Sequence, residues 1–350
     1  MVNRCPCAAL LWLVLMLAGS ATASEGSNSR PRLRALIVDG QNNHEFWPKT
    51  TMMMKRYLEQ TGLFTVDISR TAFTWQGAPY DEDHGVTADR RRGFMDFYRI
   101  PGAPETKAMD KPVPDPNYHP NFQAYNVVIS NFGWHAAPWP RETEKALEAF
   151  VMVGGGFVIV HAADNSFPDW VEFNKMAGVG GWGDRDEKAG PYLYIDSSGR
   201  VVRDPSPGPA GSHGHEQEFL VTVRDRTHPV MRGMPERWMH ARDELYDRLR
   251  GPAEDIQILG TAYSDVDRNA SFWTPLKGTG RNEPMVLCRN YGAGRVFHTT
   301  LGHADFSMEC VGFIVLLQRG AEWAATGDVT QPLPADFPTE THVSVRPWKP

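Results

Sequence analysis

Cysteine is scarce in this chain, 4 residues among 350, and the scarcity excludes several chemistries. Cys5 and Cys7 precede the apolar stretch Ala8–Leu17 and leave with it, so neither is a lipid-anchor cysteine. Cys288 and Cys310 remain; an oxidising compartment permits a bridge between them, and two buried unbridged thiols are the equal alternative. Their spacing forms no zinc-thiolate motif. Positive charge is lacking as well: 36 Lys and Arg stand against 42 Asp and Glu, a net charge of −6. No basic stripe exists to neutralise phosphates, which argues against a nucleic-acid partner. The one basic cluster, Arg90-Arg91-Arg92, reads as a solvated turn or as a contact for a substrate carboxylate or phosphate. No apolar run beyond the first seventeen residues is long enough to cross a bilayer, so no membrane insertion is expected. A dinucleotide fingerprint is missing, because Gly40-Gln41-Asn42-Asn43 lacks its glycine spacing, and no nucleotide cofactor is expected. There is no internal repeat.

The chain opens as an export signal. Arg4 supplies the positive region, Ala8–Leu17 the apolar one and Ala21-Thr22-Ala23 the small-residue cleavage pattern. The predicted order is a signal sequence over 1–23, a disordered leader over 24–33, one domain over 34–330 and a proline-rich tail over 331–350, the mature protein being periplasmic or secreted. Within the domain, apolar runs at 33–39, 64–68, 127–131, 157–160, 219–223, 256–262, 285–290 and 294–300 read as strands. Helical periods fall at 49–60, 141–153 and 308–325. Residues 71–123 and 178–214 break the pattern and are expected to run over the surface as insertions. Strands alternating with helices predict an α/β fold with a doubly wound, mostly parallel sheet.

Histidine is well placed in this frame. His44, His135, His161 and His303 each lie just beyond a predicted strand, and ligands of open α/β sheets bind outside the carboxyl ends of the strands. The set predicts a polar site able to move protons or hold a metal; any single one could instead cap a strand. His161 ends Gly156-Phe157-Val158-Ile159-Val160 at a strand-to-helix turn, the geometry that projects one side chain into a site. His213-Gly214-His215-Glu216 is a candidate ligand set for a divalent metal, zinc or similar, with loop hydrogen bonding as the alternative. Asp243-Glu244-Leu245-Tyr246-Asp247 offers carboxylates for acid/base work or sugar hydroxyls, or else caps a turn. Glu283 either reaches the site from a loop or pairs with Arg281. Trp47, Trp134, Trp139 and Trp182 lie in predicted loops, where aromatic rings stack on sugars or pack the loops.

These motifs resemble those of ThuA-like proteins, the trehalose-utilisation family of the class I glutamine amidotransferase-like fold. The resemblance runs from about Arg34 to Thr330. It rests on Asp39-Gly40-Gln41-Asn42-Asn43-His44, Gly154-Gly155-Gly156 through His161-Ala162-Ala163, Gly181-Trp182-Gly183-Asp184-Arg185, Asp243-Glu244-Leu245-Tyr246, Gly278 through Pro284, and Gly294 through His303. Arg319 through Gly327 also fits. It implies a flavodoxin-like sheet and a role in sugar utilisation. His161 stands where the amidotransferases carry cysteine, so glutamine hydrolysis is rejected. The expected catalytic set is His44, His135, His161, Asp243, Glu244 and His303. The expected substrate-binding set is Asn43, Trp134, Trp182, Asp184, Arg185, Tyr246 and Glu283, the substrate being a small carbohydrate. The expected function is an exported enzyme acting on a keto-sugar or glycoside; a non-catalytic sugar-binding protein is the alternative. His161 is expected to face a solvated cleft.

Overall fold

The computed structural model describes residues 1–2, 31–77 and 87–349. Apart from their end residues, the expected signal sequence and leader lie outside the described residues. The strands are β1 (Leu33–Gln41), β2 (Phe64–Trp75), β3 (Lys107–Ala108), β4 (Val127–Ser130), β5 (Gly156–Val160), β6 (Tyr192–Ile195), β7 (Val201–Asp204), β8 (Gln217–Val223), β9 (Arg237–Asp243), β10 (Gln257–Tyr263), β11 (Asn282–Tyr291) and β12 (Gly294–Thr299). The helices are α1 (Trp47–Glu59), α2 (Ala88–Phe97), α3 (Arg141–Met152), α4 (Val171–Ala177), α5 (Asp305–Met308) and α6 (Val311–Thr326). Among the described residues no helix is long and apolar enough to cross a membrane.

The sheet runs β3-β2-β1-β4-β5-β12-β11-β10-β8-β9, with the β6–β7 hairpin attached to β11. From β3 to β12 the pairings are parallel; from β12 to β9 they are antiparallel. The sheet is therefore mixed, where a mostly parallel one was expected. The physical reason is connection length: parallel neighbours need a crossover of a dozen or more residues, whereas hairpins reverse direction. The turn joining β11 to β12 is Gly292-Ala293, with Gly292 at φ 58°, and it leaves no room for a helix.

The parallel half explains itself by alternation. Ala35, Ile37, Val127, Ile129, Val158 and Val160 face a core closed by α1 and α6. Leu36, Val38, Val128, Phe157 and Ile159 face the opposite core, closed by α3 and α4. Strands apolar on both sides read as continuous hydrophobic runs. Helix α6 is buried nearly all round and stops at Gly327, whose left-handed φ of 87° lets its N–H donate to the Trp323 carbonyl.

Several expectations change. The first insertion begins later, since β2 continues to Trp75, and Arg90-Arg91-Arg92 lies in α2, with Arg90 paired to Glu45 at 3.0 Å, rather than in a free turn. The second insertion contains the β6–β7 hairpin. The tail is packed: Phe337 joins the core, Trp238 being 5.5 Å away, and Trp348 crosses the Tyr57 ring at 6.1 Å. Cys288 and Cys310 are both buried and free, so no bridge joins them.

Candidate functional site

The carboxyl ends of β1, β5 and β12 lie together because these strands are parallel and separated only by β4 or directly adjacent. The chain leaving β1 brings His44, that leaving β5 brings His161 and that leaving β12 brings His303. The segment after β9 supplies Glu244. Among the described residues, His44, His161, Glu244 and His303 form a group whose ligand atoms lie within 4.8 Å of one another.

Two of the three rings, His44 and His161, are oriented by an outer hydrogen-bond partner. The Nδ1 of His161 donates to the Thr300 carbonyl at 2.7 Å, leaving Nε2 to accept the Tyr246 hydroxyl at 2.7 Å. The Nδ1 of His44 donates to Asn42 Oδ1 at 2.9 Å, while Asn42 is itself held by the carbonyls of Asn131 and Phe132. The Nε2 atoms of His303 and His213 each stand 3.3 Å from Glu244 Oε1, and that of His161 stands 3.5 Å from Oε2. The Nδ1 of His303 is buried without a hydrogen-bond partner, with Glu216 Oε1 at 3.6 Å. Gly302, at φ 100°, is needed before it because a Cβ there would meet the Phe313 ring at 2.5 Å. His161 is also in the left-handed region, at φ 47°. A non-glycine residue held there stores strain, of the kind that clusters at working sites.

Burial and neighbouring charge set the protonation. His44 is held well below the ordinary imidazole range by burial and then by His161 and His213. Burial, His44 and His161 do the same to His303. For His161 burial also opposes charge, but the hydrogen bond and attraction of Glu244, with Asp243 behind, outweigh it and raise its pKa. Tyr246 is pushed well above the phenol range by burial and then by Glu244, so it remains an O–H donor.

Other expected site residues fall elsewhere. His135 is exposed at φ 62° and packs on Trp134 and Trp75, outside the cluster. Asp243 is fully buried; its oxygens accept from His240 at 2.7 Å and from the backbone N–H groups of Glu244, Gly302 and His303. It positions Glu244 and His303 and has no free face for proton transfer. His213-Gly214-His215-Glu216 does not close on one point: His213 touches Glu244, Glu216 lies near His303, and His215 is exposed and stacked on Phe272 at 4.4 Å. Arg185 is buried, its guanidinium spent on the carbonyls of Asn165, Ser166, Gly181 and Trp182 and on Asn174. It braces the loop instead of meeting a ligand. Asp184 is exposed in the same turn, at φ 59°.

Trp182 packs on Tyr246 at 4.7 Å and borders the cluster. Asn43 is 3.5 Å from His44 Nε2 and accepts the Trp134 backbone N–H, which links Trp134 to the site through the backbone. Trp47 and Trp139 are core residues. Glu283 is buried beside Asp247, accepts from Thr279 at 2.7 Å and is pushed up to about 8 by burial and then by Asp247. Arg281 pairs with Asp204 at 3.2 Å. Asn42 and Thr300 escaped the sequence reading, since a side-chain amide and a backbone carbonyl carry no ligand signature of their own. Behind His44, His161 and His303 lies a cavity of only about 10 Å³. A larger groove of about 580 Å³ between α1, β2 and the end of α2 shares no residue with the cluster.

The ThuA family, described as trehalose utilisation, matches residues 107–324. A ThuA-like protein from Parabacteroides merdae ATCC 43184, solved at 1.75 Å, is 40% identical with a TM-score of 0.74, over 90% of this chain and 98% of its own. A second ThuA-like protein, from Bacteroides uniformis ATCC 8492, is 18% identical with a TM-score of 0.49, over 86% and 96%. No curated protein matches the chain. The chain belongs to the ThuA family. Its role is accordingly carbohydrate-related.

Proposed function

We propose that this chain is an exported enzyme that moves a proton on a keto-sugar or glycoside, with a divalent cation such as zinc held by His44, His161, Glu244 and His303. Its parallel half serves as a flavodoxin-like frame for that site. The observation that carries the reading is the convergence of three imidazoles and one carboxylate within 4.8 Å. Such a donor set suits zinc and its neighbours. Ligand imidazoles donate their second N–H to a carbonyl or carboxylate, as His44 and His161 do. Burial also favours the neutral, ligating form of His44 and His303; at His161, whose pKa Glu244 raises, the cation would take the place of the proton. When bound, the cation would polarise a carbonyl or a water.

The protein's own groups have distinct tasks. His213 donates its Nδ1–H to the Gly214 carbonyl at 2.7 Å, leaving the Nε2 lone pair beside Glu244. It takes the proton from the carbon next to the sugar carbonyl, and the imidazolium formed faces the Glu244 carboxylate. The electron pair left on carbon moves to the carbonyl oxygen, and it moves back as the His213 imidazolium returns a proton to that carbon, which restores both the base and the carbonyl. Tyr246, turning its O–H from His161, donates a hydrogen bond to that oxygen. Asn43, 3.5 Å from His44 Nε2, bonds a neighbouring hydroxyl in this reading. Export rests on Arg4, Ala8–Leu17 and Ala21-Thr22-Ala23.

The test is turnover. Metal-loaded protein incubated with 3-keto-glycosides in D2O should form product or exchange the proton beside the carbonyl. His213→Ala and Glu244→Gln should each slow this by about 100-fold or more. Saturable binding with neither product nor exchange would make the chain a sugar-binding protein instead.

A further inference from the structure

Resting on that sugar-directed reading, we propose that the loop between β10 and β11 forms an outer subsite in which Phe272 and Trp273 stack on the second ring of a disaccharide or aryl glycoside. The preferred substrate is then a two-ring glycoside and not a free monosaccharide.

Phe272 is 51% exposed and Trp273 45% exposed, and the two rings meet edge-on at 4.5 Å. Two large aromatics exposed side by side form an apolar patch of the kind that marks a binding surface. Their position is specific. Trp273 lies 4.4 Å from the His213 ring, and the His213 Nε2 is 3.3 Å from Glu244. Phe272 lies flat on His215, 4.4 Å away with 9° between the planes. The wall from the cluster outward is aromatic throughout: His161 to Tyr246 at 4.4 Å, Tyr246 to His213 at 5.8 Å, then Trp273. Exposure rises along it, from 2% at Tyr246 to 45% at Trp273.

The inner end of this wall is closed, since the space behind the histidines is only about 10 Å³. A sugar whose reacting carbon sits at Glu244 and His213 must therefore extend outward. Trp273 stands one ring beyond His213, where the next unit of a glycoside would fall. Sugar rings present C–H faces that pack on aromatic rings, while their hydroxyls stay in water.

The loop is also built to hold this position. Asn269 is 1% exposed, and its amide nitrogen donates to the Leu245 carbonyl, Asp247 and Ser264, each at 3.1 Å. Its oxygen accepts the Gly214 N–H at 3.2 Å. One side chain thus fastens the aromatic loop both to the Glu244–Tyr246 segment and to the His213–His215 segment. Such preorganisation lowers the ordering cost of binding.

Calorimetric titration of the metal-loaded full chain tests the subsite, using 3-keto-trehalose and a 4-nitrophenyl 3-keto-glucoside against 3-ketoglucose. At least one two-ring probe should bind about tenfold more tightly than the single ring, in line with aromatic stacking. Trp273→Ala should bring that ratio to within about twofold of one, and Trp273→Phe should keep most of it. Melting temperature and elemental analysis establish that each variant is folded and loaded. A ratio near one in the unsubstituted protein, a ratio unmoved by Trp273→Ala and Phe272→Ala, or no binding of any probe in the millimolar range would overturn the proposal. Loss of the ratio without turnover would leave the subsite standing and remove the enzyme. Turnover with a ratio indifferent to both substitutions would do the reverse.

Discussion

His161 carries two loads that a solvated cleft residue would not. It is 3% exposed, and its ring ties the Thr300 carbonyl to the Tyr246 hydroxyl. His161→Ala should therefore abolish turnover and also cost about 1–3 kcal/mol, because a buried carbonyl loses its donor. Turnover and melting temperature measured together check this; an unchanged Tm would contradict the packing part. Tyr246→Phe is the gentler probe. It keeps the ring and removes one O–H, so kcat should fall about 100-fold, while Tm drops less than in His161→Ala, which loses a whole buried ring. An unchanged kcat would show that the phenol takes no part. Glu283 tests the electrostatics away from the cluster. Its folded pKa of about 8 lies above the ordinary carboxyl value, so between the two the folded state holds a proton that the unfolded state has lost. Stability must then fall as pH rises from about 4.5 to about 8 and level off above. Glu283→Gln should be close to neutral at pH 5 and raise Tm at pH 9; an equal effect at both would refute the raised pKa.

Among the elements, β9 and the tail were the least legible. Arg237-Trp238-Met239-His240-Ala241-Arg242-Asp243 mixes charge into every second or third position, so no apolar run marks it. Trp238 is nevertheless buried because Phe337 of the tail packs on it, and His240 because it packs on Phe219 and Trp238. The Met239 N–H donates to Thr339 at 2.8 Å and the Val311 N–H to Ser344 at 2.9 Å. Proline-rich sequence has no helical or strand period to betray such packing. Ending the chain after Thr330 removes Phe337 and Trp348 from the core, which should cost about 3 kcal/mol or more and lower Tm accordingly. A Tm equal to that of the full chain would mean the tail only lies on the surface. By contrast β1, β4, β5 and α6 were readable, since each is apolar on the faces that two cores demand.

For the whole molecule, the divide between parallel and antiparallel halves decides the site. His44, His161 and His303 come from the parallel half, and strand-end position alone located them. Glu244, Tyr246 and His213 come from chain flanking the antiparallel strands, and only the tertiary fold shows which of many candidate carboxylates and imidazoles meets the first three. That is why His135, Asp243 and His215 looked equivalent in sequence and are not equivalent in space. Phe272 and Trp273 were overlooked because a short Ser-Phe-Trp-Thr stretch in a loop has no pattern to separate it from packing residues.

Metal stoichiometry decides whether His44, His161, Glu244 and His303 make one metal centre. Protein stripped with chelator, reloaded with zinc and passed through gel filtration should retain one equivalent per chain by elemental analysis. His44→Ala and Glu244→Gln should each retain far less while remaining folded, and retention by the unsubstituted protein should fall as pH drops, because ligand imidazoles must shed their protons to bind. Full retention in both variants, or none in the unsubstituted chain with zinc and equally none with manganese or cobalt, would mean that these four side chains do not form a metal centre.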